Sequence, residues 1–72
     1  MENKEEILNK LRERIECHRK YASLCEDERR FWAERGNLFL AEAWKCMVDW
    51  HRKQAEEIAK RLELLIKEEE ND

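Results

Sequence analysis

The sequence predicts an all-α fold: an antiparallel two-helix hairpin with coiled-coil-like packing that dimerises into a four-helix bundle. Three observations predict it. The chain has no proline and a single glycine, and 46% of its 72 residues are Asp, Glu, Lys or Arg, a composition typical of long helices. Apolar residues recur at alternating steps of three and four on both sides of that glycine. And apolar residues remain in excess of what one helix–helix seam uses.

The first helix is expected over about 4–35. "NKEE" places Asn3 three residues before Glu6, the spacing of a capping box. From there Leu8, Leu11, Ile15, His18, Ala22, Cys25, Arg29 and Trp32 form an unbroken series of a and d positions. "RGN" then supplies a stop and a start, in a turn at 36–37. Gly36 takes the left-handed conformation that ends a helix, and Asn37 caps the next one.

The second helix is expected over about 38–68, with Ala41, Trp44, Val48, His51, Ala55, Ile58, Leu62 and Leu65 as its seam. The closing "KEEEND" sets acids against the negative end of the helix dipole, so fraying is expected there. Helices of about 30 residues run about 45–50 Å at 1.5 Å per residue. A turn this short makes them antiparallel, and residues 1–72 form one helical-hairpin domain. Folding about the turn pairs positions whose numbers sum to about 73. His18 and His51 then fall in adjacent layers.

The stretch "ERGNLFLAEAWKCMVDWH", Glu34 to His51, holds two of the three tryptophans. On the first helix Cys17, Leu24 and Phe31 recur every seven residues, with Tyr21 beside them. On the second, Phe39, Ala43, Cys46 and Trp50 make another stripe, with Leu40 and Met47 next to it. A helix apolar on most sides is normally buried, and one partner helix cannot cover it. A second chain is therefore expected on an interface of Leu24, Phe31, Phe39, Ala43, Cys46, Met47 and Trp50. Left in water, Phe31, Phe39, Trp50, Leu24 and Met47 each forgo about 1.5–3 kcal/mol of burial. Their sum is comparable with the stability of a small domain, about 5–15 kcal/mol. A two-fold homodimer is the simplest cover, because identical patches are self-complementary.

Candidate chemistry is sparse. His18 and His51 are polar seam residues of the kind that fix register. No H-x-x-x-H, E-x-x-H or C-x-x-C spacing exists, so neither a metal nor any other cofactor is expected. Cys17, Cys25 and Cys46 are an odd set without pairing, read as reduced thiols. Arg29, with Trp32, Trp44 and His51, is the candidate border of a site for an anionic or aromatic small molecule such as a nucleotide. Alternatively, Arg29 packs over a tryptophan or pairs with Glu26, Glu28 or an acid of another chain. No triad or Gly-rich phosphate loop is present, which excludes the common enzyme classes. Residues 1–37 hold nine basic and nine acidic side chains, and residues 38–72 six and nine. That balance shows no basic stripe and argues against nucleic acid as a partner. No stretch is apolar enough to cross a bilayer and no signal peptide is visible, so a cytoplasmic location without membrane contact is expected.

"WAERGNLFLAEAW" resembles the turn of a tetratricopeptide-type helix pair, with Trp32, Gly36, Leu38 and Ala41 at familiar offsets. The helices are about twice too long for that repeat of about 34 residues. The layout is similar to small hairpins that dimerise into four-helix bundles, such as plasmid primer-RNA regulators, without a shared motif. The function expected from these features is that of a small non-enzymatic regulator, adaptor or inhibitor. It self-associates and binds a protein partner through its aromatic-rich turn half. A ligand-sequestering bundle is the alternative.

Overall fold

A computed structural model describes residues 2–70. It contains two helices, α1 (Lys4–Glu34) and α2 (Leu38–Glu70), packed against each other as a hairpin. The molecule measures 55 × 19 × 14 Å. That is close to the length of one helix by the thickness of two.

Local chemistry sets both ends of α1. The Asn3 side chain accepts a hydrogen bond from the Glu6 backbone N–H at 2.8 Å, satisfying one of the free donors of the first turn. The Glu6 carboxylate meets the Asn3 side-chain amide at 3.5 Å. At the other end Gly36 adopts φ +78°. The Asn37 N–H donates to the Trp32 carbonyl at 3.0 Å, and the Gly36 N–H to the Ala33 carbonyl at 3.1 Å. These two bonds are the Schellman pair, closing carbonyls the helix cannot use. Asn37 then caps α2, its Oδ1 accepting from the Leu40 N–H at 3.1 Å. One tripeptide thus ends one helix and begins the next.

Beyond the expected boundary at 68, α2 continues to Glu70. Lys67 lies in its last turn, where a cation suits the dipole, and approaches Glu63 at 3.6 Å one turn earlier. The last two residues of "KEEEND", Asn71 and Asp72, lie outside the described residues, as does any statement about their fraying.

The seam is lopsided. The a positions Leu8, Ile15, Ala22, Ala41, Val48 and Ala55 are buried, together with Cys25. The remaining d positions, Leu11, His18, Trp32, Trp44, His51, Ile58 and Leu65, are only half-buried. Three of the six buried a residues are alanines, which let the backbones approach along that row. The d rows are left at the edge of the contact. The pairing register agrees with the turn: Leu8 and Leu65 line one small groove at the open end, with Lys4 and Glu69 beside them.

Candidate functional site

The two flanks of the hairpin differ. In an antiparallel pair the residues three after each d position lie on the same side of both helices, one flank of the hairpin. On that flank, in the turn half, α1 presents Tyr21, Glu28 and Arg35 with Leu24 and Phe31 beside them, and α2 presents Leu40 and Met47 with Ala43 and Trp50 beside them. Ring contacts across the helices confirm the placement. Tyr21 stacks on His51 at 5.6 Å, and Trp50 meets His18 edge-on at 5.8 Å. Tyr21, Leu24, Phe31, Met47 and Trp50 are each between 42% and 56% exposed. Phe39, on the outer side of α2, is 82% exposed, and Leu38 beside it 73%. Ala43 and Cys46 are exposed as well. Every residue expected at an interface therefore lies at the surface of the single hairpin, and the flank residues among them form one apolar strip.

The opposite flank is charged. It holds an open groove lined by Arg19, Ala22, Ser23, Glu26, Asp27, Arg30 and Arg52. Glu26 is its electrostatic centre. Its oxygens accept from the Arg29 guanidinium at 2.5–3.1 Å, and Arg30 approaches at 3.5 Å. The hydrogen bond from Arg29 holds the Glu26 carboxyl below the ordinary carboxylate range, opposed by partial desolvation and helped by the charges of Arg29, Arg30 and Arg52. The same bond raises Arg29. Of the partners weighed for Arg29, the structure selects Glu26, one turn away on its own helix.

Of the four residues considered for a small-molecule site, Arg29, Trp32, Trp44 and His51, all are half-buried. Arg29 is held by Glu26, and His51 by His18, about two turns further from the joint. Trp32 packs edge-on against Phe31 at 5.0 Å. The cation–π contact near the turn is made by Arg35, whose guanidinium lies 3.5 Å from the centre of the Phe31 ring. Arg35 also donates to the Phe31 carbonyl at 3.1 Å. Sequence reasoning did not find this pair, although its spacing of four residues on a helix is a readable signal.

The seam histidines do come together. Their Nδ1 atoms are 3.0 Å apart and their ring centroids 5.2 Å apart. Trp50 packs edge-on against His51 at 4.9 Å. Among the described residues no group of three or more metal-ligating side chains assembles. All three cysteines are free, with Cys25 buried and Cys17 and Cys46 exposed. No helix among the described residues is long and apolar enough to cross a membrane.

Comparison with family models, with curated proteins and with solved structures gives no match. The functional reading therefore rests on the geometry of the two flanks.

Proposed function

We propose that this chain is a small, non-enzymatic, cytoplasmic interaction protein. It self-associates through its apolar flank into a four-helix dimer, and it engages a protein partner with the aromatic-rich turn half. The carrying observation is the strip of half-exposed side chains Tyr21, Leu24, Phe31, Met47 and Trp50 on one flank only.

The size of the strip favours a second copy. A fully covered large side chain buries ~150–250 Å², so five that are half covered leave roughly 500 Å² to be covered. A standard interface takes about 800 Å² from each partner, and about 57–65% of it is apolar. The strip alone meets that apolar share. Two copies related by a two-fold axis place identical strips face to face. The half-buried d residues Trp32, Trp44 and His51 would then complete their burial in the centre of a four-helix core. Leu38 and Phe39 sit at the tip and on the outer side of α2, away from α1. They are the residues left for a foreign protein, aromatic side chains being common anchors of such contacts.

The test is the oligomeric state. A dimer at low micromolar concentration that becomes monomeric on Met47→Glu, with helicity retained, is expected. A wild-type chain that stays at the monomer mass of 8.9 kDa at all accessible concentrations removes the reading. For the partner contact, a candidate protein that binds the wild type must lose affinity on Phe39→Glu while the dimer persists. Equal binding by both forms removes that half.

A further inference from the structure

Spacing along a single helix shows no metal ligands, but His18 and His51 meet across two helices, 33 positions apart in sequence. Their Nδ1 atoms are 3.0 Å apart and their ring centres 5.2 Å apart. A neutral imidazole has one N–H and one lone pair. As the pair stands, the Nδ1–H of one ring donates to the Nδ1 of the other. With both protons on Nε2, both Nδ1 lone pairs are free to bind one cation. That change is a tautomer shift on one ring and releases no proton.

The two distances select the cation. With Zn–N bonds of about 2.05 Å, and about 1.15 Å from ring nitrogen to ring centre, a tetrahedral ion holds two imidazole centres roughly 5.2 Å apart. The two nitrogens then stand roughly 3.3 Å apart. An ion that binds them at a right angle, as square-planar Cu(II) and Ni(II) do, draws the centres in to roughly 4.5 Å. The centres already stand at the tetrahedral separation. Binding therefore needs only a swing of the two rings that parts the nitrogens by roughly 0.3 Å, with both helices in place.

We infer that His18 and His51 form a two-imidazole zinc site that clips α1 to α2. Both residues are half-buried, so the pair is open to an ion along one edge of the seam. Among the described residues no third ligand joins them, and water fills the other two corners of the tetrahedron. Tyr21 stacks on His51 at 5.6 Å, and Trp50 lies edge-on to both histidines at 5.8 and 4.9 Å. These contacts restrict the rings in advance, so less rotamer freedom is lost on binding. Arg14, four residues before His18, opposes a cation, but it lines its groove together with Glu57. The clip lies within one hairpin and needs no second copy. Zinc that binds only the folded hairpin raises its folding equilibrium constant about 11-fold at a free concentration ten times the dissociation constant.

The experiment titrates zinc chloride into the chelator-stripped full chain at neutral pH and reads binding by calorimetry. One zinc per chain is expected, with a higher urea midpoint in zinc than in chelator. Loss of an outer-shell partner alone costs about 10–100-fold in metal affinity, so His18→Gln and His51→Gln, which each remove a ligand, should weaken binding at least about tenfold. Cys17→Ser, which removes the neighbouring exposed thiol, should leave the affinity within about threefold, because the thiol is no ligand of this ion. Nitrogen-15 NMR of the wild type should show the Nδ1 of both histidines shifted by zinc, and this reading decides the matter where a variant does not fold. The clip is overturned by no binding at millimolar zinc or by one zinc per two chains. It is overturned equally by unchanged affinity in both histidine variants, by loss of binding in Cys17→Ser, or by a zinc shift at Nε2 in place of Nδ1.

Discussion

Leu24→Ala separates association from folding. Leu24 is 52% exposed in the hairpin and lies outside the buried a rows. Trimming it should cost a lone hairpin about 1 kcal/mol, the share of its burial that the hairpin itself supplies. In the proposed dimer the exposed half of the side chain would become buried. Full burial of Leu is worth about 1.5–3 kcal/mol, so its remaining half is worth about 1 kcal/mol per protomer. A two-fold interface contains the residue twice, and about 2 kcal/mol weakens the dimer roughly 30-fold. Sedimentation equilibrium gives the dissociation constant. Urea unfolding, at a concentration where the variant is monomeric, gives the hairpin. A dissociation constant within threefold of wild type refutes the placement of Leu24 under a second copy. So does an equal loss for Lys20→Ala, on the outer face of α1.

Three further outcomes follow from the core, the joint and the charged flank. Val48 is 1% exposed, and Val48→Ala should cost about 2 kcal/mol through lost burial and the cavity left behind, read as a lower urea midpoint with an unchanged slope. At Gly36 a Cβ would meet nothing within 4 Å, but φ is +78°. Gly36→Ala should therefore destabilise by about 1–2 kcal/mol through backbone strain alone, and a neutral or stabilising effect would contradict the left-handed joint. Glu26 has its folded-state pKa lowered, first by the Arg29 hydrogen bond. Its contribution is present above the ordinary carboxylate range and lost as pH falls through its folded value. The wild type should thus exceed Glu26→Gln in urea midpoint at pH 7, and the gap should close toward pH 3.

The joint was the most legible part of the sequence. A lone glycine followed by asparagine, between two periodic series, has few other uses, and both Schellman bonds and the Asn37 cap lie where the spacing places them. The heptad series located the seam but not its tilt. That six of the eight a positions close, Arg29 and Leu62 excepted, while every d position but Cys25 stays half-open depends on how near Ala22, Ala41 and Ala55 let the backbones come, which periodicity does not encode. The position of Arg29 was legible and its partner was not, because Glu26, Glu28 and the tryptophans were all within its reach. For the histidines, layer arithmetic brought the rings close. Only coordinates show that the same nitrogen of each ring faces the other at 3.0 Å.

The tight joint also orders events in time. Contacts beside it close loops of only a few residues, whereas those at the open end, where Leu8 and Leu65 share a groove, close nearly the whole chain. Loop-closure entropy grows with length, so the hairpin zips from the joint outward and frays from the far end inward. The aromatic strip forms early in that sequence and is surrendered late. The aromatic strip therefore stands exposed before the aliphatic end has closed.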